Sequence, residues 1–483
     1  MGTPGTRVLR GRRGDTLRVW WDARRAHRQG TEALHARQRE RLAELVAYAR
    51  QHSTYYRRLY RGLPDPLEEV TRLPVSDKTA LMRNFDEVAT DPAVTREAVE
   101  AFVADPARIG ERFLGQYLVA TTAGTTGTRG MFVLDDRYWA ATSGLMAQLT
   151  QDWLSARQVL ALMVHGGRFA GVVATGGHFL SVAASTREQR ERPRRHRGLR
   201  ILSIHRPLPE VVAELNGFGP LLLGGYASML RLLATEQEAG RLRVSPVLVL
   251  STAEGLTSEE RIRIGRAFGA PVREVYGCTE SGYAASGCAE GWLHLLEDWV
   301  IVEPVDAEHR PVPPGVVSHT VLMTNLANRV QPVIRYDVGD RLLVSPDRCR
   351  CGNPSPAIRV QGRASDVLTF RTASGEDVIA VPPLALGTVI DRIPGVELFQ
   401  VLRTTPTSLS LRLLPAPGAD PVQAWASALA GLTGLLTDLG LPDVTVEQDT
   451  EPPEQGPGGK FRTVIPLAPR PPAPPADTTG DRS

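Results

Sequence analysis

Between residues 32 and 62 apolar side chains return every three or four positions, with Leu42, Leu45, Val46 and Ala49 on one stripe. That period predicts an amphipathic helix. The stretch "LPVSDKTALMRNF", residues 73–85, predicts a loop running into a helix capped by Ser or Asp. From residue 117 the texture changes. Short apolar runs ("YLVAT", "VLALMV", "PLLLGG", "PVLVLST", "PVREVYG") alternate with helical stretches such as "ASMLRLLATEQEAG" and "TSEERIRIGRAFG". Strands alternating with helices predict a largely parallel, helix-covered sheet. After about residue 290, "WLHLLEDWVIVEPVD", "SHTVLMTN" and "DRLLVSP" are extended and nearly helix-free, which predicts an antiparallel subdomain.

A boundary falls near "VQGRASDVLTF", residues 360–370, and beyond it "VELFQVLRTT", "LSLRLLPA", "PVQAWASALAGLTGLLTDLG" and "VTVEQD" outline a compact α+β unit. The expected fold class is α/β, a large N-terminal α/β domain with parallel sheets and an antiparallel subdomain, plus a small mobile α+β C-terminal domain. The expected organisation is a basic extension over 1–40, the large domain over 41–362 and the small one over 363–467. A Pro-rich tail, 468–483, is expected to be disordered. No internal repeat is found.

Composition changes this picture little. The 483 residues are 42% hydrophobic and 23% charged, with a net charge of +3, too small to imply a nucleic-acid or membrane partner. The basic excess is local, in residues 7–50 and in "REQRERPRRHRGLR" at 187–200, and reads as solvated helix faces and an exposed loop. No apolar run reaches the roughly 18 residues a membrane span needs. "AGVVATGGHFLSVAA" is interrupted by His178, and the basic N-terminus lacks a following apolar core, so a cytoplasmic protein is expected. Four cysteines in so long a chain do not form a disulfide framework.

Five constellations carry candidate chemistry. "TTAGTTGTRG", residues 121–130, is rich in glycines that expose backbone N–H groups and in threonine hydroxyls, a composition suited to phosphate oxygens. It lacks the lysine of the common Gly-x-x-x-x-Gly-Lys nucleotide loop, and a plain hairpin turn is the competing reading. "REVYGCTESGYA", residues 273–284, sets Glu274 and Glu280 around a small-residue turn at a strand end, where α/β sheets collect ligands. A carboxylate there beside Thr279 could hold magnesium on phosphates. In "VIRYDVGDRL", Asp340 could accept hydrogen bonds from ribose hydroxyls or be a simple turn residue. Cys288, His294, Cys349 and Cys351 supply three thiolates and an imidazole, the donors of a structural zinc, although Cys-x-Cys is tighter than usual. Cys278 reads as a small buried residue. Finally "GPGGKFRTV", 456–464, places Lys460 on a Gly-rich loop.

In this order the segments resemble the adenylate-forming (AMP-binding) enzymes, nearest to the phenylacetate–CoA ligase family and its members similar to coenzyme F390 synthetase. The resemblance spans roughly residues 40–466. It rests on "TTAGTTGTRG", "LLLGGYASML", "VLVLSTAEGLTSEERIRIGRAFGAPVREVYGCTE", "PVIRYDVGD", "QGRASDVL" and "GGKFR". It implies that Thr121, Thr122, Gly124, Thr125, Thr126 and Gly127 cradle the ATP phosphates. Ala253 and Glu254 would lie along the adenine near Tyr276 and Gly277. Thr279 and Glu280 would meet the α-phosphate and Mg2+, Asp340 would hold the ribose with Arg363 close by, and Lys460 would act during adenylation. Relatives carry structural zinc on cysteines and histidine, which Cys288, His294, Cys349 and Cys351 (in a subdomain of about 285–355) match. Two departures stand out: Arg129-Gly130 replaces the commoner Gly-x-Pro loop end, and Ser365 replaces the first hinge aspartate, leaving Asp366.

The implied activity is ATP-dependent activation of a carboxylic acid, aryl or otherwise small, to an acyl-adenylate, followed by transfer to coenzyme A. The alternatives are a carrier protein or amine as acceptor, or AMP transfer to a hydroxyl as in F390 synthesis. A nucleotide-binding protein that has lost catalysis rests on Ser365 alone, and a zinc-ribbon nucleic-acid binder has only Arg348 and Arg350 beside its cysteines. The acid's identity and the oligomeric state, a homodimer included, stay open.

Overall fold

The computed structural model describes residues 13–65, 67, 69–122, 130–164, 166–191, 198–363, 366–371, 378–381, 383–391, 393–455 and 461–467. Gly124, Thr125, Thr126, Gly127, Arg129, Ser365, Lys460 and the Pro-rich tail lie outside them.

The chain divides into two compact units, one of Met1–Ala364 with Glu454–Arg462, the other of Ser365–Pro453 with Thr463–Ser483. In the larger unit the parallel strands Leu199–Ser203, Phe169–Val173, Leu222–Tyr226, Leu248–Thr252 and Val272–Cys278 lie side by side in that order. The antiparallel strands Gly282–Gly287, Leu293–Leu295, Ala357–Arg363 and Asp340–Val344 continue the same sheet to nine strands. The parallel half is apolar because it is covered by helices: Val172, Leu223 and Val249 pack with Leu230 and Leu233 of Ala227–Glu238 and Ile264 of Ser258–Phe268. The last of these helices begins with a capping box between Thr257 and Glu260.

The expected antiparallel region is only partly a separate sheet. Val300–Val305, Thr320–Asn325 and Tyr336–Asp337 form three antiparallel strands, whereas "WLHLL" and "DRLLV" join the large sheet. "VLALMV" is not a strand but belongs to the helix Ala156–Val164; a short apolar run fits a half-buried helix as well as a strand. "YLVAT" supplies Leu118–Thr121, outside the large sheet, in an antiparallel hairpin with Met131–Leu134.

The basic stretch at 187–200 is not all exposed surface. Arg187 is buried, with Nη2 2.5 Å from Asp136 and Nε 3.0 Å from Glu191. Arg112 completes this network with the same two acids, which hold opposite charges together where a lone arginine would be costly. In the N-terminal basic region, Arg13–Gln29 is a helix whose Val19 fits against Gly144 of Asp136–Trp153, where a Cβ would come within 2.6 Å.

In the smaller unit Thr445–Gln448, Ser408–Pro415, Val396–Thr405 and Val464–Ile465 form a four-stranded sheet. Its Val401, Leu409 and Leu411 pack with Ala428, Leu432 and Leu436 of the helix Pro421–Asp438. Among the described residues no helix is long and apolar enough to cross a membrane.

Candidate active site and metal-ligand cluster

The strand Val272–Cys278 leads into a tight turn and back along Gly282–Gly287. Gly277 is required there, because a Cβ would lie 2.0 Å from the Gly282 carbonyl oxygen. Gly282 has φ 74° and faces the Tyr138 ring, so both glycines allow a close approach that larger residues would block. The turn presents half-buried Thr279 and buried Glu280. Tyr336 donates to Glu280 Oε1 at 3.2 Å, and Asn325 donates to the Glu280 carbonyl at 3.1 Å. The other carboxylate oxygen has no hydrogen bond among the described residues, an acceptor suited to a divalent cation.

Beside this turn, Tyr276 donates from its hydroxyl to Asp340 Oδ2 at 2.8 Å, and Arg363 Nε lies 3.3 Å from Oδ1. Strand register explains the second contact, since Asp340 and Arg363 are direct partners in the antiparallel pair. Burial first, then the Asp340 charge, pushes the Tyr276 phenol well above its ordinary value, so it stays a donor. The Glu280 and Asp340 charges both act on half-buried Cys278, whose thiol is raised mainly by desolvation.

The described ends of the Gly/Thr loop are closed. Thr122 N–H donates to the Gly130 carbonyl and Gly130 N–H to Thr122 Oγ1, both at 2.9 Å. Buried Thr121 donates its N–H to the His178 carbonyl at 2.7 Å. Hairpin turn and phosphate loop are thus compatible readings, since the loop sits on an antiparallel hairpin. Its outer edge is held by side chains acting in place of a strand: Val133 N–H donates to Gln331 Oε1 at 2.8 Å and Asn328 donates to the Val133 carbonyl at 2.9 Å.

Past the strand Leu248–Thr252, Ala253 takes φ 69°, a left-handed conformation costly for any residue with a Cβ. It turns Glu254 so that Oε2 accepts from Ser228 N–H at 2.8 Å, at the start of Ala227–Glu238, and Oε1 accepts from Phe461 N–H at 2.6 Å.

At the antiparallel end of the sheet the ligand atoms of Cys288, His294, Cys349 and Cys351 all lie within 4.8 Å of one another. Cys288 Sγ is 3.8 Å from Cys349 Sγ, and Cys351 Sγ is 3.1 Å from His294 Nε2. Zn–S bonds of about 2.3 Å in a tetrahedron put sulfurs about 3.8 Å apart, so the donors fit. His294 Nδ1 lies 2.9 Å from the Ser355 carbonyl, a partner that leaves Nε2 as the ligand atom. Burial lowers the imidazole's pKa and favours its neutral, ligating form.

A curated relative, phenylacetate–coenzyme A ligase of Thermus thermophilus, is 24% identical over 368 residues, covering 70% of this chain and 72% of its own. The solved 2-hydroxyisobutyryl-CoA ligase in the postadenylation state with 2-HIB-AMP superimposes with a TM-score of 0.65 at 20% identity, covering 90% of this chain and 89% of that one. Its open conformation with 2-HIB-AMP and CoA gives 0.54 over 90% and 91% of the two chains, again at 20% identity. The chain is thus similar in sequence to a phenylacetate–coenzyme A ligase and shares its fold with a 2-hydroxyisobutyryl-CoA ligase. No family model matches it.

Not every carboxylate in the family-like segment joins the site. Glu274 faces the start of the helix Ser258–Phe268, near Arg261, and desolvation pushes its carboxyl up to about 7. A carboxyl raised in the folded state makes the fold lose stability as pH climbs from 4.5 to about 7, and the loss is complete above that. Glu274→Gln should therefore stabilise the protein at pH 8 by about 1–3 kcal/mol and hardly at pH 4.5. Thermal melts at the two pH values check this.

Tyr336, Asn325 and Gln331 escaped sequence reading as site neighbours. Tyr336 stands four residues before Asp340 in "RYDVGD", and its period-2 partner Ile334 is buried, so the aromatic could have been noticed there. Nothing in "NRVQP" marks Gln331 as a stand-in for a strand.

Proposed function

We propose that the protein activates a carboxylic acid with ATP, forming an acyl-adenylate and pyrophosphate, and then passes the acyl group to coenzyme A. The observation that carries this reading is that Asp340, held by Tyr276 and Arg363, is tied through Tyr276 to the strand that leads into the Glu280 turn, both within one sheet. One position suits a ribose diol and the other a metal-bridged phosphate, as AMP formation requires.

A carboxylate is a poor electrophile because its charge is delocalised and oxide is a poor leaving group. Attack of its oxygen on the α-phosphorus forms the acyl–phosphate bond, while the bond to the β-phosphate oxygen breaks and pyrophosphate leaves. A thiol then attacks the acyl carbon and AMP departs. Negative charge gathers on the phosphoryl oxygens in the first step, so donors aimed at them lower the barrier. Thr279, the N–H groups of the Gly/Thr loop and the Lys460 ammonium would take that role. Glu280 would hold Mg2+, which supplies charge neutralisation there. Cys288, His294, Cys349 and Cys351 would hold a structural zinc, which supplies a cross-link between the two hairpins that bear them.

ATP–pyrophosphate exchange across a panel of carboxylic acids, with and without coenzyme A, tests the function. Acid-dependent exchange and CoA-ester formation are expected. Exchange without ester would move the acceptor to a carrier protein or amine, and no exchange with any acid would reject the reading. For the metal, purified protein should contain one zinc per chain. Chelation should lower the melting temperature by several degrees, since a ligand present at 1,000 times its Kd contributes about 4 kcal/mol. Zinc near zero with an unchanged melt would dismiss the site.

A further inference from the structure

The strained turn at Ala253 suggests that Glu254 does more than border the adenine. We infer that Glu254 is a positioning residue, a latch that tethers the Lys460 loop to the larger unit by accepting the Phe461 N–H. The inference rests on the proposed adenylation chemistry for its consequence, though not for the contact itself.

Three observations converge on it. The segment Glu454–Arg462 clusters with the larger unit rather than with the sheet that follows it in sequence. Within that segment Gln455 and Phe461 pair as an antiparallel bridge, so the two ends of the Lys460 loop are drawn together, and Phe461 is buried. The carboxylate meeting Phe461 N–H at 2.6 Å is fixed from behind, because its second oxygen accepts from Ser228 N–H at 2.8 Å.

That second bond serves a helix N-terminus, where N–H groups lack partners within the helix and a negative charge is favoured. A carboxylate is needed to satisfy both N–H groups at once. A carboxamide of the same shape offers one acceptor oxygen, and its NH2 would face the other donor. The left-handed Ala253, an unfavourable conformation for alanine, is what aims the side chain between them. Because the residue adjoining Phe461 is Lys460, this contact sets where the lysine begins its reach. The latch matters for the half-reaction that uses Lys460 and not for acyl transfer.

The test compares the parent with Glu254→Gln and Ala253→Gly. Hydrogen exchange at the Phe461 amide reads the latch directly. It should be protected in the parent and at least about 10-fold faster in Glu254→Gln, as befits loss of a bond to a charged acceptor. In the half-reactions, Glu254→Gln should slow acid-dependent pyrophosphate exchange about 10- to 100-fold more than it slows conversion of a supplied acyl-adenylate, any loss shared by both reading the adenine contact. Ala253→Gly removes the strain but keeps the turn and the carboxylate, so it should fold at least as well and leave Phe461 protected; if the glutamine variant is unstable, an unprotected Phe461 amide in the parent overturns the latch.

Unchanged protection at Phe461 in Glu254→Gln overturns the latch. So does equal loss in both half-reactions with a lowered melting temperature, which would make Glu254 a helix cap only. A weakened Kd for ATP with protection intact also overturns it, by assigning the carboxylate to the adenine. If no acid supports exchange in the parent, the functional reading fails while the amide measurement still decides the latch.

Discussion

Lys460→Ala is expected to reduce acid-dependent ATP–pyrophosphate exchange by about 10²–10³-fold, the loss seen when one preorganised donor to a developing oxyanion is removed. The same variant should convert a supplied acyl-adenylate to its thioester near the parent rate. The split follows from where charge develops. Adenylation builds charge on the phosphoryl oxygens, whereas thiol attack builds it on the acyl oxygen while AMP leaves. The Gly/Thr loop, "TTAGTTGTRG", contains no lysine, so the ammonium group has to come from elsewhere in the chain. The described flanks of the Lys460 loop, Gln455 and Phe461, are paired with each other, and Phe461 is bonded to the turn that ends the strand Leu248–Thr252. Phe461 is thereby held at the carboxyl end of a parallel strand, where ligands of α/β sheets collect. Measuring both half-reactions on one preparation decides the matter, and equal loss of both would remove Lys460 from this role.

Parts of this arrangement could be read from residue order, and parts could not. Alternating strands and helices between residues 117 and 290 were enough for the class of fold, because a helix-covered parallel sheet leaves near-continuous apolar strands such as "PVLVLST". The grouping of Cys288, His294, Cys349 and Cys351 was legible from scarcity, since a chain with four cysteines rarely gathers three around one histidine by chance. "VLALMV" misled because six apolar residues satisfy either period, and its exposed Leu160, Met163 and Val164 reveal a helix only once its neighbours are placed. Arg187 looked like one more solvated arginine because its acid partner, Asp136, lies on another helix. The Gln331 contact to Val133 was equally hidden, since it depends on which hairpin edge is left without a partner strand.

Asp340→Ala is expected to lower kcat/KM for ATP by about 10²–10⁴-fold, the sum of two hydrogen bonds from ribose hydroxyls to a charged acceptor. Geometry makes Asp340 a rigid acceptor. Its two oxygens are engaged by Tyr276 Oη at 2.8 Å and Arg363 Nε at 3.3 Å, which fix the carboxylate plane that a diol would meet. Truncation also strands the buried Tyr276 hydroxyl, so part of any loss could be structural. A chemical cycle separates the two. The parent should lose nearly the same factor when offered 2′,3′-dideoxy-ATP, because the diol is then missing from the other side. Asp340→Ala should treat ATP and the dideoxy analogue alike, since the bond it lacks is the one the analogue lacks. A variant that still prefers ATP by the parent's full factor would place the ribose elsewhere, and Asp340 would be left as the acceptor that keeps Tyr276 and Arg363 in register.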